Sequence, residues 1–325
     1  MFEIVIERGI GATRALVIDN GNIIEAHFER DDGGPAPGTI HVARLVKILE
    51  PGRRGIMMLG SDEGLVEPLP YCPEGGMLRV EVTRAAIPES GRPRLAKLRN
   101  IEGDSGREGR VTTGPGLAAR LGATPGPATA TGEDKLEAAG WGETVEMART
   151  GHIPFPGGLL TISPTPAMTV IDVDGPGDPA ALAQSAAVAV AAAIRRFDIT
   201  GSIGVDFPTL EGKAVRARLG ELFDAHLPAP FERTAINGFG FAQIVRPRLR
   251  PSFIEQVRAP GFAALELLRA AQHGPPGART LAGPPAIIAW LAARPALVAE
   301  LARGVGGDIT LRPDPGIAMA SVHVG

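Results

Sequence analysis

Ala167–Asp172 reads AMTVID, Pro179–Ile194 reads PAALAQSAAVAVAAAI, and Ser202–Asp206 reads SIGVD. The outer two are short apolar runs with β-branched residues, each closing on an aspartate, and have the length of buried strands. The middle one is too long for a strand and is dominated by alanine, the best helix former. Asp178 precedes it as an N-cap, and Pro179 takes the first helical position, where its missing N–H would have been unpaired anyway. Arg195 and Arg196 fall in the last turn, where they suit the helix dipole. The run is shorter than the ~20 apolar residues that span a bilayer, and it contains Gln184 and Ser185, so it reads as a buried helix rather than a membrane span. Strand, long helix, strand predicts a βαβ unit with parallel strands. Parallel strands end on the same edge, where open α/β sheets take ligands, and Asp172 and Asp206 both arrive there.

Working outward, Ala15–Asp19 and Ile23–Phe28 flank Asn20-Gly21, the dipeptide that supplies positive φ for a tight hairpin turn. Asp31–Gly38 (DDGGPAPG) is a breaker-rich linker. Five short strand-like runs follow: Ile40–Ile48, Gly55–Leu59, Gly64–Glu67, Met77–Arg84 and Pro93–Leu98. Their spacing predicts a small barrel of the OB type. Asn100–Gly140 repeats Gly, Thr, Ala and Pro and predicts loose structure with one helix at Leu117–Leu121. Gly158–Ile162 and Phe239–Val245 are strand-like, and Gly212–Leu227 is an amphipathic helix. The tail offers helical runs at Gly261–His273 and Pro285–Arg303 and strand-like ends at Asp308–Arg312 and Ala318–Val324. The expected fold is therefore α/β with an inserted small β-barrel. It comprises an N-terminal β-hairpin segment (1–37), an OB-type barrel (38–98), a Gly/Ala/Pro-rich connecting region (99–150), a βαβ domain with parallel strands (151–258) and a small C-terminal α+β unit (259–325).

Of the 325 residues 44% are hydrophobic, which excludes a disordered chain. A single cysteine, Cys72, excludes an intrachain disulfide and a cysteine-clustered zinc site. The net charge of −3 argues against polyanion binding over the whole surface, though not against a local patch. From Lys213 to Arg258, eight Lys/Arg stand against four Asp/Glu, a local excess beside the acidic pair in sequence. Arg246, Arg248 and Arg250 alternate, so an extended segment puts them on one face; a solvated edge strand is the alternative. The six histidines, His273 among them, are scattered without ligand spacing, and Trp141 and Trp290 read as core anchors. Met1–Glu7 (MFEIVIE) is acidic where a targeting signal is basic, so a cytoplasmic location is expected.

Two carboxylates meeting at one sheet edge repel each other unless one is protonated or a cation lies between them. Asp174, from the motif IDVD, adds a third oxygen donor. Magnesium takes hard oxygen ligands, commonly one or two carboxylates with water and substrate phosphate. Manganese accepts the same set. Acids that end strands also cap helices and face solvent, so spacing alone leaves both readings open.

Pro166–Gly175 (PAMTVIDVDG), the helix end IRRFDITG at 194–201 and SIGVDF at 202–207 resemble the catalytic region of the ribonuclease E/G family. Phe239-Gly240 and the stretch RPRLRPS at 246–252 resemble that family's Phe-Gly and Arg-x-Arg-Leu-x-Pro-Ser segment. RALVIDNGN at 14–22 resembles its N-terminal hairpin, the barrel falls where it has an OB-fold RNA-binding domain, and Pro284–Val324 resembles its small C-terminal domain. The resemblance implies magnesium-dependent endonucleolytic cleavage of single-stranded RNA, with Asp172 and Asp206 on the family's metal-binding aspartates and Asp174 where it usually has Asn. It also implies RNA contacts from Arg84 and Arg92, which fall near family lysines that face RNA, while the local basic excess offers Lys213, Arg246, Arg248 and Arg250 as phosphate contacts. Departures accompany it. The stretch Glu255–Gly261 (EQVRAPG) lacks the cysteines of the family's zinc link, so structural zinc and a zinc-linked tetramer are not expected, while a homodimer is allowed. The short connecting region leaves no room for the family's 5′-monophosphate sensor. Thr39–Leu98 has no Phe or Trp, and Ile56 and Leu65 fall where the family stacks RNA bases on rings. A non-catalytic RNA-binding or ribosome-associated protein that kept the fold is the alternative, and a nuclease acting on DNA a third reading.

Overall fold

The computed structural model describes residues 2–88, 94–103, 106–123, 126–127, 134–318 and 323–324. Gly33–Gly116 and Gly151–Ser252 form one unit, and Met1–Asp32, Leu117–Thr150 and Phe253–Gly325 form another.

In the first of these, a six-stranded sheet runs in the order His152–Phe155, Gly158–Pro164, Thr169–Asp174, Gly201–Asp206, Phe241–Arg246, Glu232–Arg233. Only the pair Thr169–Asp174 and Gly201–Asp206 is parallel, and the helix Pro179–Arg196 connects them as the βαβ reading requires. Asp178 caps that helix, its Oδ2 accepting from the Ala181 N–H at 2.8 Å. Ile171, Val173, Ile203 and Val205 point to one face and are buried, together with Ala183, Ala187 and Val190 of the helix. The alternation then sends Asp172, Asp174 and Asp206 to the other face, where all three are exposed.

The barrel in the same unit closes through Ile40–Glu50, Arg54–Leu59, Asp62–Val66, Ala96–Asn100 and Met77–Arg84, back to Ile40–Glu50. Asp62–Val66 and Ala96–Asn100 are parallel and the other neighbours antiparallel. This is the expected OB-type barrel, filled by Leu45, Met57, Val80, Val82 and Leu98. Its last strand in chain order is Ala96–Asn100; Pro93, where the sequence places its start, lies outside the described residues, and Gly109–Thr112 adds to Ile40–Glu50 outside the closed ring.

In the second unit the hairpin of Ala12–Asp19 and Asn22–Arg30 turns at Asn20 (φ 50°) and Gly21 (φ 79°), as the Asn-Gly pair predicts. A third strand, Phe2–Gly9, pairs along the whole of Ala12–Asp19. The N-terminal element is therefore a three-stranded antiparallel sheet with the short pair Gly126–Pro127 beside it. The region read as loose, Asn100–Gly140, contains the expected helix Leu117–Leu121 and a second, Lys135–Ala138, with Trp141–Thr150 following it; residues 104–105, 124–125 and 128–133 lie outside the described residues. Trp141 is the anchor expected, 1% exposed, edge-on to Phe253 at 5.5 Å and donating from Nε1 to Glu266 at 2.8 Å. Trp290 is not a core residue: it is half-buried, with the Arg294 guanidinium 3.8 Å and that of Arg30 5.3 Å from its ring centre. The run Pro285–Arg303 breaks into Pro285–Ala292 and Pro295–Val305, bent by 88°. Pro295 disfavours helical geometry at Arg294, which takes φ −131°. Among the described residues no single helix is long and apolar enough to cross a membrane.

Candidate metal centre on the open face of the sheet

Asp172 and Asp206 are register partners in the parallel pair. Asp174 lies two residues beyond Asp172 on the same face. Burial pushes the Asp172 carboxyl above its ordinary range, and the negative charges of Asp174 and Asp206 push it further the same way, against a hydrogen bond from the Val173 N–H. A glycine keeps the floor beside them low. A Cβ on Gly204 would stand 2.7 Å from Phe241 Cζ and 3.0 Å from Met168 Sδ, so the absence of a side chain lets that ring and thioether lie across the strand. Phe241 is itself the register partner of Asp206. The donor set, three carboxylates with no nitrogen or sulfur ligand, suits a hard divalent cation such as magnesium or manganese. The three are an open apposition rather than a closed cage.

Among the described residues, one group of three metal-binding side chains has all its ligand atoms within 4.8 Å of one another: Glu7, Asp134 and His273, in the other unit. A protein cation already occupies that group. Arg269, 8% exposed, donates to Glu7 at 2.8 Å and to Asp134 at 2.5 Å, and His273 Nε2 meets the second Glu7 oxygen at 2.9 Å. Neighbouring carboxylates, Glu7 foremost, hold the Arg269 guanidinium above its usual range against the opposing effect of burial. This is an ion-pair network centred on Arg269, and it joins Glu7, Asp134 and the helix that carries both Arg269 and His273, segments 127 and more positions apart in sequence, which is why scattered histidines did not reveal it.

The cations named from sequence are not gathered at the aspartates. Lys213 is exposed at the first position of Lys213–His226, the helix that follows the Asp206 strand, and so lies toward the same end of the sheet. Arg246 does not. Phe241–Arg246 runs antiparallel to Gly201–Asp206, so Phe241 faces Asp206 and Arg246 faces Gly201. Five residue steps of strand, about 16 Å, separate it from the acidic end. The antiparallel pairing thus carries Arg246 away from the acidic end, while Lys213 stays toward it. Arg246 also donates from NH1 to the Ile199 carbonyl at 2.7 Å, and Arg248 runs alongside Gly201. Arg246, Arg248 and Arg250 do alternate with their neighbours, yet they are half-buried while Val245, Pro247 and Leu249 are exposed. Arg84 is half-buried on the barrel and donates to the Leu95 carbonyl at 2.7 Å. Arg92 lies outside the described residues.

Ile56 and Leu65 are cross-strand partners on the outside of the barrel, both half-buried. Three aromatic side chains are exposed among the described residues without having been singled out as a site: Phe2, Tyr71 on the loop after Asp62–Val66, and Phe239 ahead of the Asp206 partner strand. From sequence Phe239 is a motif residue and the first residue of a strand, but the strand begins at Phe241 and leaves Phe239 on the turn before it. No protein-family model matches this chain, and no curated protein matches it.

Proposed function

We propose that this chain is a magnesium-dependent endoribonuclease of the ribonuclease E/G kind, acting on single-stranded RNA. The observation that carries the reading is the pairing of Asp172 with Asp206 in register on the open face of the sheet, with Asp174 beside them. Three like charges face solvent there, and a divalent cation between them relieves their repulsion. Magnesium held in this way supplies Lewis-acid polarisation of a phosphodiester and a bound water of lowered pKa. Asp172 and Asp206 would hold the ion, and Asp174, by its place on the same face, would orient Asp172 or a water beside it. Lys213 stands toward the same end and is suited to a flanking phosphate. The OB-type barrel offers a second surface for the strand, with the aliphatic pair Ile56 and Leu65 gripping bases less firmly than rings.

The test is incubation of a fluorescent A/U-rich single-stranded RNA with the protein in Mg²⁺ and in EDTA, alongside Asp172→Asn and Asp206→Asn. Cleavage in Mg²⁺ by the unaltered chain alone is expected. Cleavage that persists in EDTA or in both variants overturns the site. Tight binding without cleavage by the unaltered chain favours the non-catalytic RNA-binding alternative.

A further inference from the structure

Phe239 is 81% exposed, more than any other phenylalanine among the described residues that present a large apolar surface to solvent. Its backbone is nevertheless fixed. Asn237 Oδ1 accepts from the N–H groups of Phe239 at 2.9 Å and Phe241 at 3.0 Å, and the Asn237 N–H donates to the Phe241 carbonyl at 3.0 Å. The Gly240 N–H closes the turn on the Asn237 carbonyl at 3.2 Å. Gly240 sits at φ +91°, and a Cβ there would lie 2.3 Å from the Phe207 carbonyl oxygen. Its own carbonyl accepts from the Phe207 N–H at 3.3 Å, which ties the turn to the residue directly after Asp206. A fixed turn thus carries a solvent-facing ring two residues from the register partner of a candidate metal ligand. Gly238 leaves the approach on one side open, with no atom near the place a Cβ would take.

We propose that Phe239 is a stacking platform for an unpaired RNA base adjoining the phosphodiester held at Asp172 and Asp206. The inference rests on the ribonuclease reading and makes Phe239 a positioning residue. A nucleobase is the occupant that the surroundings favour. The ring is a single flat apolar surface flanked by Gly238 and Gly240, on a turn hydrogen-bonded to the residue after Asp206, which suits one planar base of a strand whose phosphate meets the proposed cation better than it suits a broad apolar protein face. Stacking on an aromatic ring tolerates any base, since every base has a π-face. The platform also answers the aliphatic character of Ile56 and Leu65 on the barrel, placing aromatic contact at the metal site instead.

The test uses the full chain and a single-stranded RNA carrying 2-aminopurine at successive positions around the cleaved bond, with Phe239→Ala, Phe239→Leu and Phe239→Tyr. Quenching of the 2-aminopurine signal at one position by the unaltered chain and by Phe239→Tyr, and its loss in Phe239→Ala and Phe239→Leu, is expected. Phe239→Ala is expected to raise KM roughly five- to hundred-fold, the range of one lost stacked base, with a smaller change in kcat. An RNA lacking the base at that position removes the difference between the unaltered chain and Phe239→Ala. Because the side chain is exposed, the variants are expected to keep the Tm of the unaltered chain. Quenching and KM unchanged in Phe239→Ala, while the unaltered chain cleaves, overturns the stacking role and leaves the ribonuclease reading standing. An unaltered chain that neither binds nor cleaves RNA overturns both.

Discussion

Replacing Asp172 by Asn is expected to stabilise the protein in EDTA and to reverse that order in excess magnesium. Asp172 faces Asp206 across the parallel pair and Asp174 along its own strand, all exposed on one face. The Asp206 carboxylate stands about 6 Å away by the usual cross-strand spacing, and that of Asp174 is nearer, within side-chain hydrogen-bond reach of Asp172. In water a pair of unit charges at about 6 Å repels by about 0.7 kcal/mol. Salt at physiological strength, with a Debye length of about 8 Å, roughly halves this. Removing one charge that faces two others should then gain about 0.5–1 kcal/mol, or about 1–4 °C in Tm. Asn keeps the shape and an oxygen acceptor for the Val173 N–H. Magnesium at ten times its Kd stabilises the unaltered chain by about 1.4 kcal/mol, and less in the variant. Thermal unfolding followed by circular dichroism, with EDTA and across a magnesium titration, should show the two Tm curves crossing. A variant less stable than the unaltered chain in EDTA, or equally responsive to magnesium, refutes the reasoning.

Arg269→Ala leaves Glu7 buried without its main partner and is expected to cost about 3–5 kcal/mol in urea unfolding of that unit. EDTA should leave the unaltered network's stability unchanged, because its cation is Arg269. Gly204→Ala drives a methyl into the end of the Phe241 ring, so a loss of about 1–3 kcal/mol is expected, with RNA cleavage slowed as the ring shifts beside Asp206. For Asp32, burial raises the carboxyl, but hydrogen bonds from Arg294 and Arg30 outweigh it and the net position is below the ordinary range, with Asp31 the neighbouring acid. A depressed folded pKa means that this pair's stabilisation is present above the ordinary carboxylate range and is lost as pH falls through the folded value. A Tm–pH profile of Asp32→Asn should therefore lie below the unaltered chain at neutral pH and converge with it in acid.

The βαβ core was legible because three local rules agreed there: β-branched runs, an Asp-Pro helix start and a helix too long to be a strand. The Asn-Gly hairpin was legible from two residues. What escaped depends on long-range pairing. Phe2–Gly9 became a third strand because Ala12–Asp19 was free to pair on its second side, which no local pattern announces. The position of Arg246 followed from the direction in which its strand runs, and charge spacing along the chain carries no information about direction. The Glu7, Asp134, Arg269 and His273 network joins three distant segments. The aspartate pair was foreseen at one edge, and alternation along the strands placed it more narrowly, on the face opposite the buried helix.

The most direct measurement is anomalous diffraction from crystals soaked in manganese, which magnesium sites accept. A peak at Asp172 and Asp206 on the open face of the sheet is expected, absent in crystals of Asp172→Asn. No peak at the aspartates, or one confined to Glu7, Asp134 and His273, contradicts the proposed site.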